Sequence, residues 1–226
     1  MPRETFERGL QRLQDETLAM GRMVEEAITA SVEALQRRDL TSSRRLIAGD
    51  RFINEKRFAI ERDALVLIAT QQPMASDLRV IAAVLDISSE LERIGDYAKG
   101  IAKISLMIGE EPLIKPVVHV PRMAEKARHM LHRALEAFVQ RDVETARAIP
   151  ADDDEVDDLY DQVYRELITY LLADPTAMET ANYLLWAAHN LERAADRVTN
   201  ICERVIFTVT GEMVELDVED AAIPPG

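Results

Sequence analysis

One cysteine, eight glycines and no long apolar run set the first limits on this chain of 226 residues. Cys202 alone cannot close an intramolecular disulfide, and no cysteine-based zinc motif can be drawn around it. So few glycines disfavour a turn-rich β fold and favour long helices. The longest apolar runs, such as LLWAA at 184–188, are far too short to span a bilayer. The opening MPRETFERGL lacks the apolar stretch of a signal peptide, so a soluble cytoplasmic protein is expected. Basic residues are scarce as well. Twenty-seven Lys and Arg face 41 Asp and Glu, giving a net charge of −14. That balance repels phosphate backbones and anionic membrane surfaces, so nucleic acid is excluded as a partner. Cations and basic protein surfaces suit it. No glycine-rich phosphate loop, nucleophile elbow or Ser/His/Asp arrangement is present, and no enzyme activity is expected.

What is present is repetition. LERIGDYAKGI at 91–101 returns as LERAADRVTNI at 191–201, displaced by 100 residues. EALQRRD at 33–39 returns as EAFVQRD at 136–142, and Asp50, Ile53 and Asn54 correspond to Asp153, Val156 and Asp157, displaced by 103 residues. The chain therefore reads as two homologous halves, not as a short-period solenoid. With 47% hydrophobic and 30% charged residues, it has enough apolar material for a real core.

Each half divides into three helices. The first runs from about Glu4 to Arg38, with Phe6, Leu10, Leu13, Ala27 and Leu35 at helical spacing. The second covers about 40–70 and stops before Pro73, because the residue before proline disfavours the α region. The third opens on Ser76 as N-cap and ends at Ile108, before Gly109. Helices four to six are expected at about 122–140, 143–172 and 177–210, with Asp174 and Pro175 opening the last as cap and first residue. The expected organisation is all-α. Two three-helix bundles occupy 1–108 and 122–212, joined by a linker at 109–121 and followed by an acidic, frayed tail at 213–226.

Placing residues at 100° intervals separates two kinds of repeated position. Ile87, Leu91, Ile94, Ala98, Ile101 and Ile108 form one stripe, and Leu191, Ala195, Val198, Cys202, Val205 and Val209 form another. These stripes belong to a core. Glu92 and Asp96 lie far outside theirs, as do Glu192 and Asp196. Like charges one turn apart cost a helix about 0.2–0.5 kcal/mol, so a cation is the expected compensation. In the sixth helix His189, Glu192, Asp196, Asn200 and Glu203 fall within one arc. Such an oxygen-rich set suits magnesium, manganese or iron better than a closed structural zinc site. Asp50 and Asp153 are expected to complete the two shells from neighbouring helices. The run DDDEVDD at 152–158 otherwise reads as a solvated helix N-terminus favoured by the macrodipole. Trp186 and Cys202 read as core residues.

The paired motifs LERIGD and LERAAD, with DLR at 77–79 and the Asp50–Ile53–Asn54 cluster, resemble the PhoU family of phosphate-uptake regulators. The likeness runs from about Phe6 to Gly211. It implies two three-helix bundles, a homodimer, and metal on the bundle surface, foremost iron, with manganese, magnesium or zinc as alternatives. It also implies a negative regulator of the phosphate-starvation response. The partners it implies are the ATPase of a phosphate-specific ABC transporter and a phosphate-sensing histidine kinase, with membrane complexes reached only through them. The second motif departs from the family pattern, with Ala194-Ala195 in place of Ile-Gly and Arg197 where histidine is common. Two alternatives stand beside this reading. One is a ferritin-like di-iron oxidase, which needs carboxylates inside a bundle core. The other is a helical adaptor that binds no metal.

Overall fold

The same turn starts the second helix of each half. Arg38 and Arg141 take the left-handed conformation, both at φ 56°, and end the helix before them. The next residue in each case is an aspartate that caps the following helix. Asp39 accepts from the Ser42 amide at 2.9 Å and from its hydroxyl at 2.6 Å, while Asp142 accepts from the Thr145 amide at 3.0 Å and its hydroxyl at 2.6 Å. Each cap satisfies an amide that the first turn of a helix leaves without a partner.

The computed structural model describes residues 2–110, 113 and 119–216. Among them no strand occurs. The helices are α1 (Pro2–Arg37), α2 (Leu40–Gln71), α3 (Ala75–Ile108), α4 (His119–Gln140), α5 (Val143–Ala148), α6 (Pro150–Ala173) and α7 (Met178–Thr210). A single 3₁₀ turn, Pro175–Ala177, precedes α7. Helices α1, α2 and α3 pack on one another as one bundle, and α4, α6 and α7 as the second. The all-α, two-bundle reading of the sequence is correct.

Several boundaries differ, each for a local reason. The helix expected over 143–172 is broken at Ile149, because Pro150 has no amide hydrogen to continue it. Helix α3 begins at Ala75 with Met74 in the cap position, so Ser76 is not its N-cap. Asp174 caps the 3₁₀ turn rather than α7 itself, accepting from the Thr176 amide at 3.1 Å. Helix α4 starts at His119, inside the stretch expected to be linker. Most of the linker lies outside the described residues, and so does the tail beyond 216. The first part of the tail is not frayed. Val214 and Leu216 pack against the core, and the Leu216 amide donates to Glu203 Oε1 at 3.0 Å.

The two bundles share one continuous core. Helices α3 and α7 make the most extensive contact between the halves, and α1 against α4 makes the second. The α3–α7 contact is itself two-fold in pattern. Glu90 of α3 meets Asn200 of α7, and at the other end Gly100 lies against Asn190. A side chain at Gly100 would come within 3.0 Å of Asn190 Oδ1. The stripes read from sequence are buried, including Leu91, Ile94, Leu191 and Cys202. Each large side chain contributes roughly 1.5–3 kcal/mol by leaving water. Val209 is an exception at 41% exposed, in the last turn of α7. Trp186 is another, with nearly half of its surface exposed.

Candidate functional site

Helix α2 delivers Asp50 to the face of α3 that carries the first motif. Asp50 is buried and Asp96 is exposed. Between them lies Lys99, one turn beyond Asp96. Its Nζ donates to Asp50 Oδ2 at 2.7 Å and to Asp96 Oδ1 at 3.2 Å. Asn54 Nδ2 also donates to Asp50 Oδ2, at 3.2 Å. The other Asp50 oxygen, Oδ1, is buried without a hydrogen-bond partner. The Asp50 carboxylate holds the Lys99 ammonium above its ordinary pKa, with burial opposing and Asp96 adding to the effect. The first carboxylate face thus has a cation of its own.

The second face is built from α6 and α7. Asp153 is buried, as its counterpart Asp50 is, and Glu192 is half-buried. His189 Nδ1 lies 3.0 Å from Glu192 Oε2, and the His189 ring sits 6.0 Å from that of Tyr160. Burial pushes the Glu192 carboxyl up, the His189 ring opposes this, and the charge of Asp157 adds to it. Burial and the Glu192 charge together raise the Tyr160 phenol. At the position of Lys99 stands Thr199, fully buried, with its hydroxyl lacking any hydrogen-bond partner.

The residues predicted for the site therefore separate. Asp50 and Asp96 meet through Lys99, with Glu92 half-buried one turn before Asp96. Glu192 meets His189 and Asp157. Asn200 does not join Glu192. It turns into the α3–α7 groove, where its Nδ2 donates to Glu90 Oε2 at 3.4 Å. Arg197 is turned the same way, 3.5 Å from Glu90. Ala195 is buried in the core. The departures in the second motif therefore face the core and α3. The equivalent glycine, Gly95, admits Ile53 of α2, whose Cδ1 would lie 3.0 Å from an added Cβ.

Among the described residues, no three His, Cys, Asp or Glu side chains converge closely enough to hold one metal ion. The motif carboxylates stand outside the core stripes, not inside as a ferritin-like oxidase would require. A metal suits the two faces unequally. The first already holds an ammonium between its carboxylates, whereas the second carries four carboxylates, Asp153, Asp157, Glu192 and Asp196, and one imidazole. Sequence reasoning passed over Lys99 and Thr199. The signal lay in the repeat itself, where LERIGDYAK aligns with LERAADRVT.

Comparison with known proteins follows the same repeat. The PhoU domain family matches residues 17–105 and again 120–205. A phosphate-specific transport system accessory protein PhoU homolog of Caulobacter vibrioides is 38% identical over 204 residues, which span 90% of this chain and 89% of that protein. The fold matches the crystal structure of the phosphate transport system regulatory protein PhoU from Streptococcus pneumoniae with a TM-score of 0.86. Identity there is 32%, over 93% of this chain and 100% of the other. The crystal structure of PhoU from Pseudomonas aeruginosa matches equally, with a TM-score of 0.86 at 33% identity, over 92% of this chain and 100% of that one.

Proposed function

We propose a function from one premise: this chain belongs to the PhoU family. Its role is regulatory, in phosphate homeostasis, and not catalytic. The observation that carries this is the match over both halves, at 38% identity to a transport-system accessory protein. Within that role the chain works as a negative regulator and a cytoplasmic helical adaptor. It joins the ATPase of a phosphate-specific ABC transporter to a phosphate-sensing histidine kinase. In this reading it forms a homodimer and meets membrane complexes only through those proteins. No helix among the described residues is long and apolar enough to cross a membrane.

Two unlike surfaces support the adaptor reading. Phe58, Leu65 and Val66 are exposed on α2, and Tyr164, Ile168 and Leu172 on α6, with Leu172 82% exposed. Helix α2 carries six basic and four acidic residues, whereas α6 carries one and eight. Exposed apolar residues within faces of different charge fit two different protein partners. Copurification with a tagged chain tests this. Leu65→Glu and Ile168→Glu should each weaken capture of a transporter ATPase or a histidine kinase, and not the same one. Capture of neither protein by the unaltered chain would remove the adaptor reading.

Metal binding is proposed at the second face, where Asp153, Glu192 and Asp196 would have to draw together around the ion. Iron is the first choice there, and manganese, magnesium or zinc are the alternatives. The donor set supports it, since carboxylate oxygens with one imidazole suit a hard divalent cation. When bound, such a metal would relieve the mutual repulsion of these carboxylates. Elemental analysis of protein purified without chelators should find metal that the Asp153→Asn/Asp196→Asn variant loses.

A further inference from the structure

Three exchanges leave the second carboxylate face more negative than the first, while Ser89 to His189 and Tyr97 to Arg197 run the other way. Asn54 corresponds to Asp157, Arg57 to Tyr160 and Lys99 to Thr199. At those three positions the first half carries two cations more and one carboxylate fewer than the second. Of these exchanges, Lys99 acts most directly, because its ammonium touches carboxylates from two helices, at 2.7 Å and 3.2 Å. A carboxylate as deeply buried as Asp50 requires an opposite charge close by. Lys99 supplies that charge from within the chain.

We infer that Lys99 is a built-in counter-ion that holds, in the first half, the place a metal ion would take. Metal binding by this chain is thereby confined to the second half. An ammonium has three donors and no lone pair to offer, so it competes for the oxygens a hard cation needs and contributes no ligand. A divalent ion bound to Asp50 and Asp96 would stand within about 4 Å of a like charge, where neighbouring charges act most strongly. In the second half the equivalent side chain is a hydroxyl. It is fully buried with no hydrogen-bond partner, beside the helix turn that carries Asp196.

The statement about the second half rests on the metal reading proposed above, and the statement about the first rests on the Lys99 geometry. The two can be tested separately with Mn²⁺ as the probe. In crystals of the full chain grown with Mn²⁺, anomalous scattering should show a peak beside Glu192 and Asp196 and none beside Asp50 and Asp96. Lys99→Thr, which places the second half's residue in the first, should gain about one equivalent of Mn²⁺ by titration. Adding Asp96→Asn should abolish that gain. Lys99→Gln, which keeps a donor to Asp50 while removing the charge, should show the same gain if the threonine variant folds poorly. A peak beside Asp96 in the unaltered chain would overturn the inference, and so would the absence of any gain in both Lys99 variants. Absence of a peak at the second face alone would remove the metal reading there and leave the inference about Lys99 to the variants.

Discussion

Lys99 and Thr199 stand at equivalent positions in the two halves. The ammonium of one bridges Asp50 and Asp96, while the hydroxyl of the other is buried with no hydrogen-bond partner. Removing the ammonium strands a carboxylate that is almost fully out of water. The lysine side chain keeps a quarter of its surface exposed, so solvent softens the loss below the 3–5 kcal/mol typical of a fully buried pair. Lys99→Met should destabilise by about 1–3 kcal/mol in urea titration. Asp50→Asn combined with Lys99→Met should recover most of that, because no unpaired charge is left.

The converse holds at Thr199. A buried hydroxyl without a hydrogen bond costs roughly 1–3 kcal/mol in mutational comparisons. Thr199→Val keeps the shape and removes that cost. Metal-free protein carrying it should be at least as stable as the unaltered chain, by up to about 2 kcal/mol in the same titration. A clear loss of stability would mean that the hydroxyl has a partner.

The paired caps give an acid signature. Hydrogen bonds from the Ser42 side chain and amide lower the Asp39 carboxyl, and those from Thr145 lower Asp142 in the same order. A carboxyl depressed in the folded state binds protons less tightly there than in the unfolded chain. Its contribution is therefore full above the unfolded value, near 3.9, and is lost as pH falls through the lower folded value. Asp39→Asn/Asp142→Asn should flatten the dependence of the melting temperature on pH below about 4. At pH 7 the helices should remain formed, because asparagine also caps well. Melting followed by circular dichroism between pH 2 and pH 7 checks this.

The outer faces of α2 and α6 should tolerate change without loss of fold. Phe58, Leu65, Ile168 and Leu172 are all exposed. Leu65→Glu and Ile168→Glu should each shift stability by no more than about 0.5 kcal/mol, the usual range for surface positions. A larger loss would mean that these side chains already pack within the chain.

The architecture was legible because its signals are periodic and occur twice. Leu91 and Leu191 repeat with the stripes around them, and both are buried. The motif carboxylates were placed correctly outside the core for the same reason. What was not legible depends on how helices cross. Asn200 lies within 80° of Glu192 on a helical wheel, yet α3 packs on that side of α7 and Glu90 accepts its amide hydrogen. Lys99 was in plain view in the repeat, but a lysine on an acidic helix reads as an ordinary surface charge until Asp50 is seen beside it. Trp186 reads as core because tryptophan is highly buried on average. It lies instead on the outside of α7, against Tyr183.

The central claim is that the chain restrains the phosphate-starvation response, and a transcriptional reporter of that response tests it most directly. In phosphate-replete medium, deletion of the gene should raise reporter expression, and a plasmid copy of the unaltered chain should return it to the low level. Equal expression in the parent and deletion strains would contradict the regulatory account.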